Sequence, residues 1–192
     1  MTVNLSKGQK VSLTKNNPSL KNIVAGLGWN VASPAASAAL DLDASVFLLT
    51  AAGKVSEPKD FLFYGNLIHS SGAVSLKNRA KVIENDDKAQ IQIDLSVVPT
   101  PFVRIAFTVT IYEADKKRQS FSQVNNAYIK IYNEKTGEEL IRYNLCESFS
   151  DETAVVFGEL YRNNGEWKFN AMGNGSWGGL AALCGNYGVE VG

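Results

Sequence analysis

From Val103 to Ile111 the chain alternates without a break. Val103, Ile105, Phe107, Val109 and Ile111 fall on one side, and Arg104, Ala106, Thr108 and Thr110 on the other. Successive side chains of a strand point to opposite faces, so the run predicts a strand with one face in a core. Just upstream, before Pro99 and Pro101, Ile91, Ile93 and Leu95 alternate with Gln90, Gln92 and Asp94. Shorter runs of the same kind punctuate the rest. Val3 to Leu5 and Val11 to Leu13 read as a hairpin around Lys7-Gly8, and Asn22 to Trp29 as a strand whose Gly26 and Gly28 let another backbone come close. Phe61 to Tyr64 is a short buried strand. Ala127–Tyr132 with Leu140–Leu145, and Thr153–Arg162 with Glu166–Met172, form two more hairpins. Ser120 caps a short helical turn. Trp177, Leu180, Ala181, Cys184 and Tyr187 keep helical spacing, with Ser176 as the cap and Gly188 as the stop. Roughly ten strands and one terminal helix bury best as a mainly β, two-sheet β-sandwich with a short C-terminal helix. The 192 residues carry no linker or repeat, so residues 1–192 are expected to form a single domain.

Composition narrows the function classes. Lysine plus arginine and aspartate plus glutamate balance at 19 each, so the chain has no bulk attraction to nucleic acid or to an anionic membrane. No apolar run reaches the ~18–20 residues of a membrane span, and the first residues lack the apolar core of a signal peptide. Two cysteines, Cys146 and Cys184, make neither a disulfide framework nor a zinc site. The expectation is a reduced, cytoplasmic protein without direct membrane insertion.

Any charge-based function is therefore local, and the acids supply the candidates. A strand beginning at Leu40 places Asp41 and Asp43 on one face and Leu40 and Leu42 on the other before entering the core at Val46 to Leu49. Two like charges so close need a cation, a donor or water. A second cluster, Glu84-Asn85-Asp86-Asp87, ends the long polar stretch from His69 to Asp87. Brought together, the clusters would offer oxygen ligands to a hard cation such as calcium, which takes roughly 6–8 of them.

Several segments, in order along the whole chain, resemble the TerD family of tellurium-resistance and general stress proteins. They include Leu5-Ser6-Lys7-Gly8, Gly26-Leu27-Gly28-Trp29, Leu40-Asp41-Leu42-Asp43-Ala44-Ser45 and Phe63-Tyr64-Gly65-Asn66. Further along come Ser120-Phe121-Ser122-Gln123-Val124, Phe157-Gly158-Glu159-Leu160-Tyr161-Arg162 and Gly178-Gly179-Leu180-Ala181. The resemblance implies a cytoplasmic, non-enzymatic, calcium-binding β-sandwich of bacterial stress operons. Its implied partners are other stress-operon proteins, a membrane protein among them, with no nucleic acid. Its implied metal ligands are Asp41, Asp43, Asn66, Asn78, Asp86 and Asp87.

The departures from the family lie in the long loop. The family loop is acidic and glycine-rich; here Lys77 stands at an acidic position, Lys81, Val82 and Ile83 replace glycines, and Lys88 replaces an acid. Residues 77–88 hold four basic side chains against Glu84, Asp86 and Asp87. Calcium affinity depends on the count of charged ligands and on site rigidity, so binding is expected to be weakened or lost. Asp41 and Asp43 would then pair with Arg79 or Lys88.

Two rivals stand beside this reading. A calcium-dependent ligand-binding β-sandwich would need an exposed aromatic platform beside the metal. A carboxylate-dependent hydrolase would use Asp41 or Asp43 with Asp86 or Asp87. His69, the sole histidine, is expected to be exposed, which leaves a Ser-His-Asp triad little support. Both cysteines are expected to be buried, Trp29 and Trp167 to be core, and Trp177 to anchor the start of the helix. The Lys116-Lys117-Arg118 run reads as a solvated turn.

Overall fold

The computed structural model describes residues 1–33, 40–77 and 87–191. Within them, strands form two six-stranded sheets. The first sheet runs β1 (Val3–Leu5), β10 (Glu139–Asn144), β9 (Val124–Asn133), β3 (Asn22–Val31), β7 (Ala89–Asp94), β6 (Val74–Lys77). The second runs β2 (Lys10–Ser12), β12 (Glu166–Ser176), β11 (Ala154–Asn163), β8 (Arg104–Ile111), β4 (Leu42–Leu49), β5 (Phe61–Leu62). Helix α1 (Ala114–Lys117) is a single turn, and α2 (Gly179–Tyr187) follows β12. The expected mainly β sandwich with a C-terminal helix is what forms.

The alternating runs meet between the sheets. Ile23, Ala25 and Leu27 of β3 and Ile91 and Ile93 of β7 face Ile105, Phe107 and Val109 of β8, with Trp29 and Trp167 in the same core. At about 25 cal/mol per Å2 of apolar surface removed from water, this interior dominates the stability. On β8 even the second face is buried, because Ala106 packs under α2 together with Phe47, Leu49, Phe61, Leu183 and Cys184. Helix α2 thus covers part of the outer face of the second sheet.

Several local expectations need correction. β1 and β2 do not pair with each other: β1 lies parallel to β10 in one sheet, while β2 lies antiparallel to β12 in the other. The Lys7-Gly8 turn carries the chain across the sandwich, with Gly8 at φ 83° and its N–H donated to the Ala171 carbonyl. The 61–64 strand is only Phe61–Leu62, and Phe63 closes a tight bridge to Asn66. Strand β6 stands inside the stretch expected to be irregular. β4 starts at Leu42, just after Asp41, whose carbonyl accepts the Tyr112 N–H at 2.8 Å. The helix begins two residues late, at Gly179: Gly178 and Gly179 both hold positive φ, Ser176 stays in β12, and the Gly179 N–H is received by Thr153 Oγ1. Trp177 is consequently 64% exposed instead of anchoring the helix. Ser120 does start a turn at Phe121–Gln123, with the Gln123 side chain accepting its N–H.

Candidate functional site

The acids singled out in the sequence separate into two settings. Asp41, just before β4, and Asp43, its second residue, line one cleft of about 240 Å3. Its other walls carry Trp29, Tyr64, Leu76, Lys77 and Lys88. Lys77 ends β6 and Lys88 immediately precedes β7, which pair as neighbours, so the edge of the first sheet brings both lysines to the lining of this cleft. Lys88 lines the same cleft as Asp41 and Asp43. Arg79 lies outside the described residues.

Asp87 is elsewhere. Its carboxylate lies on the outer face of the first sheet, fully buried, 3.2 Å from the Lys130 ammonium. Tyr128 Oη donates to it at 2.7 Å and Gln90 Nε2 at 3.0 Å. Two glycines of β3 make the room. A Cβ on Gly26 would stand 2.4 Å from the Asp87 carboxylate, and one on Gly28 would stand 2.2 Å from the Tyr128 ring. Gly26 and Gly28 admit side chains here, where the sequence suggested a backbone. Tyr128 also stacks beneath Arg142 at 4.7 Å, and Arg142 is held by Glu139 at 2.8 Å. The hydrogen bond from Arg142 to Glu139 favours the charged guanidinium and raises its pKa further.

Asn66 is engaged within its own turn, donating from Nδ2 to the carbonyls of Phe61 at 2.8 Å and Lys59 at 3.2 Å. Asn78 and Asp86 fall outside the described residues, as does Glu84. Among the described residues, no group of three or more His, Cys, Asp or Glu side chains could hold a metal. The described part of the expected ligand set at this cleft is two aspartates beside two lysines, with Asn78 and Asp86 outside it. The ion needs roughly 6–8 oxygens, and ammonium groups in the same cleft oppose its charge.

His69 corrects another expectation, being 3% exposed. Its Nε2 lies 3.0 Å from Asp60 Oδ1 and its Nδ1 2.7 Å from Ser71 Oγ, so a Ser-His-Asp array is present. Nδ1 also accepts the Ser71 N–H, which assigns the ring proton of a neutral imidazole to Nε2 and a Ser71 hydroxyl proton toward Nδ1. The array is fastened into the backbone. Asp60 Oδ2 accepts the N–H groups of Ser56 and Glu57, and Ser71 Oγ accepts that of Ala73. Its geometry ties the 56–60 turn to the 69–73 turn. Cys184 is buried as expected, which pushes its thiol pKa up, but Cys146 is exposed. No described helix is long and apolar enough to cross a membrane.

Sequence reasoning missed Lys130, Tyr128 and Gln90 as partners of Asp87. The signal was available: a lysine inside the apolar run of β9, opposite a glycine on the same row of β3, marks a charge with a hole beside it.

A sandwich of two six-stranded sheets in this strand order is the fold, and comparison with known proteins gives the family. The TerD domain model matches residues 1–187. General stress protein 16U of Bacillus subtilis is 50% identical over 194 residues, covering all of both chains. Tellurium resistance protein TerD of Serratia marcescens is 48% identical over 192 residues, again covering all of both. A solved homologue of telluride resistance protein (TerD) from Streptomyces coelicolor A3(2) superposes with a TM-score of 0.60 at 17% identity, covering 86% of this chain and 95% of that one. This chain belongs to the TerD family of tellurium-resistance and general stress proteins.

Proposed function

We propose that the protein is a non-catalytic binding or scaffold module of the bacterial stress response, acting in the cytoplasm, whose calcium dependence is weakened or lost. The observation that carries this reading is the division of the acids. Asp87 is committed to Lys130, Tyr128 and Gln90, while Asp41 and Asp43 share their cleft with Lys77 and Lys88. A non-catalytic role is supported by the Ser71–His69–Asp60 array, whose hydrogen bonds are spent on backbone. On this reading the partners are other stress-operon proteins, a membrane protein among them.

The test is calorimetric titration of chelator-stripped protein with calcium, alongside thermal melts at matched calcium and magnesium. A ligand at 100 times its dissociation constant stabilises a fold by ~2.7 kcal/mol. The expectation is no saturable heat below millimolar calcium and equal melting temperatures in the two salts. A micromolar dissociation constant would overturn the weakened-site reading.

A further inference from the structure

The first sheet carries a cleft of about 660 Å3 at the end where β3 and β10 finish and β7 and β9 begin. It adjoins the Asp41–Asp43 cleft through Trp29 and Lys88, and its volume lies within the usual ~300–1,000 Å3 of small-molecule sites. A bulge shapes it. Gly28 pairs with Tyr128 and Asn30 with Asn125, so β9 carries one residue more than β3 over this step. The bulge leaves Asn126 at φ 51°, in the left-handed region that few residues other than glycine and asparagine accept. Bulges of this kind re-aim a side chain that regular pairing would direct elsewhere. Asn126 lines the cleft with Asn30 and Asn144, and none of the three carboxamides has a hydrogen-bond partner among the described residues.

The lining is basic. Lys88 and Arg142 stand in it, and no carboxylate does. Arg142 is preset: Glu139 accepts its Nε and Nη2 at 2.8 and 3.2 Å, and its guanidinium lies over the Tyr128 ring. Its Nη1 is left unengaged among the described residues. Asp87, on the same sheet face, has its own counter-charge in Lys130. Lys88 also lines the Asp41–Asp43 cleft, yet its ammonium takes part in no hydrogen bond or ion pair among the described residues. The residue is half-buried, so water and salt screen its charge only in part. Two basic groups with no acid in the lining favour an anion, and they do so in a chain whose overall charge is balanced.

We propose that this cleft binds a small free metabolite that carries a phosphate monoester and several hydroxyl groups. The phosphate lies at the Lys88 ammonium, with Arg142 adding positive potential. The hydroxyls meet Asn30, Asn126 and Asn144, because a carboxamide both donates and accepts, as a hydroxyl does. A monoester is favoured over a carboxylate because it brings up to two charges and three acceptor oxygens to a lining with two basic groups. A lone inorganic phosphate would leave most of the volume, and all three carboxamides, to water. The proposal rests on the reading of the chain as a binding module, names a ligand for it and needs no metal.

The experiment is a heteronuclear NMR titration of the full chain with glucose 6-phosphate, glucose and inorganic phosphate. It is run with chelator present, so that failure of this proposal and failure of the calcium reading register separately. Saturable shifts are expected at Asn30, Lys88, Asn126 and Asn144, with at least fivefold weaker binding of glucose and of inorganic phosphate. Lys88→Gln should weaken the ester at least fivefold, the loss of a hydrogen bond to a charged group. Asn126→Gly removes a carboxamide at a φ that glycine adopts freely, so the fold is kept, and should weaken the ester about threefold. Lys77→Gln, in the neighbouring cleft alone, should leave binding unchanged. The bound ester should also slow alkylation of Cys146, which is exposed and lines the cleft, whereas Cys184 is buried. Absence of saturable shifts, glucose or inorganic phosphate binding as tightly as the ester, or Lys88→Gln losing no more than Lys77→Gln would overturn the proposal. Co-sedimentation with phosphatidic acid vesicles that is lost in Lys88→Gln would also overturn it, by making a lipid headgroup the occupant.

Discussion

Asp87 and the Asp41–Asp43 pair both stand near lysines, yet the two regions use their charge oppositely. At Asp87 the carboxylate is fully buried and the Lys130 side chain is 5% exposed, so neither charge has water to fall back on. The Asp87 carboxylate is held by Lys130, Tyr128 and Gln90 together. At the cleft, Asp41 is exposed and Asp43 half-buried, with Lys77 and Lys88 on the opposite wall and room for solvent between. The first is a fastening of the sheet. The second is a partly solvated surface at the edge between the two sheets. Carboxylates of similar sequence context thus ended buried or solvated according to whether a glycine row let them sink onto a sheet.

The contrast can be broken from either side. Asp87→Asn should have the largest effect, because it removes the carboxylate charge 3.2 Å from the buried Lys130 ammonium; breaking a buried pair costs about 3–5 kcal/mol. Urea unfolding would measure it, and a loss under 1 kcal/mol would mean the pair is not dry. Gly26→Ala comes next. Its methyl would overlap a carboxylate pinned by three partners, and a cost of about 1–3 kcal/mol is expected from overpacking. A neutral outcome would show that Asp87 can move aside. Asp41→Asn combined with Asp43→Asn should change stability least, by under about 1 kcal/mol, because charge interactions at a solvated surface contribute little. A larger loss would make the cleft a second fastening.

The strands were legible because a period of two needs only local reading, as in β7 and β8. Their partners were not. β1 and β2 look like a hairpin, but one pairs with β10 and the other with β12, a choice settled by strands far along the chain. His69 looked exposed because its neighbours are polar; its burial depends on Asp60 and on Phe102, whose ring stands edge-on at 5.5 Å. Trp177 looked like a helix anchor by spacing, yet two glycines with positive φ delayed the helix past it. Asp41 and Asp43 were legible as one surface, and so was Lys88 as their neighbour. The fate of Asp87 was hidden because it turns on the empty space above Gly26, which no pattern of charges records.

The most direct measurement is a paired calcium titration of the natural chain and of the Lys77→Asp, Lys88→Asp double variant, under identical ionic strength. If the lysines are what deny the cleft a cation, the variant should bind calcium at least tenfold more tightly than the natural chain and gain melting temperature in calcium over magnesium. Adding Asp41→Asn should abolish that gain. Tight calcium binding by the natural chain, unchanged in the double variant, would contradict the division of roles between the two acidic regions.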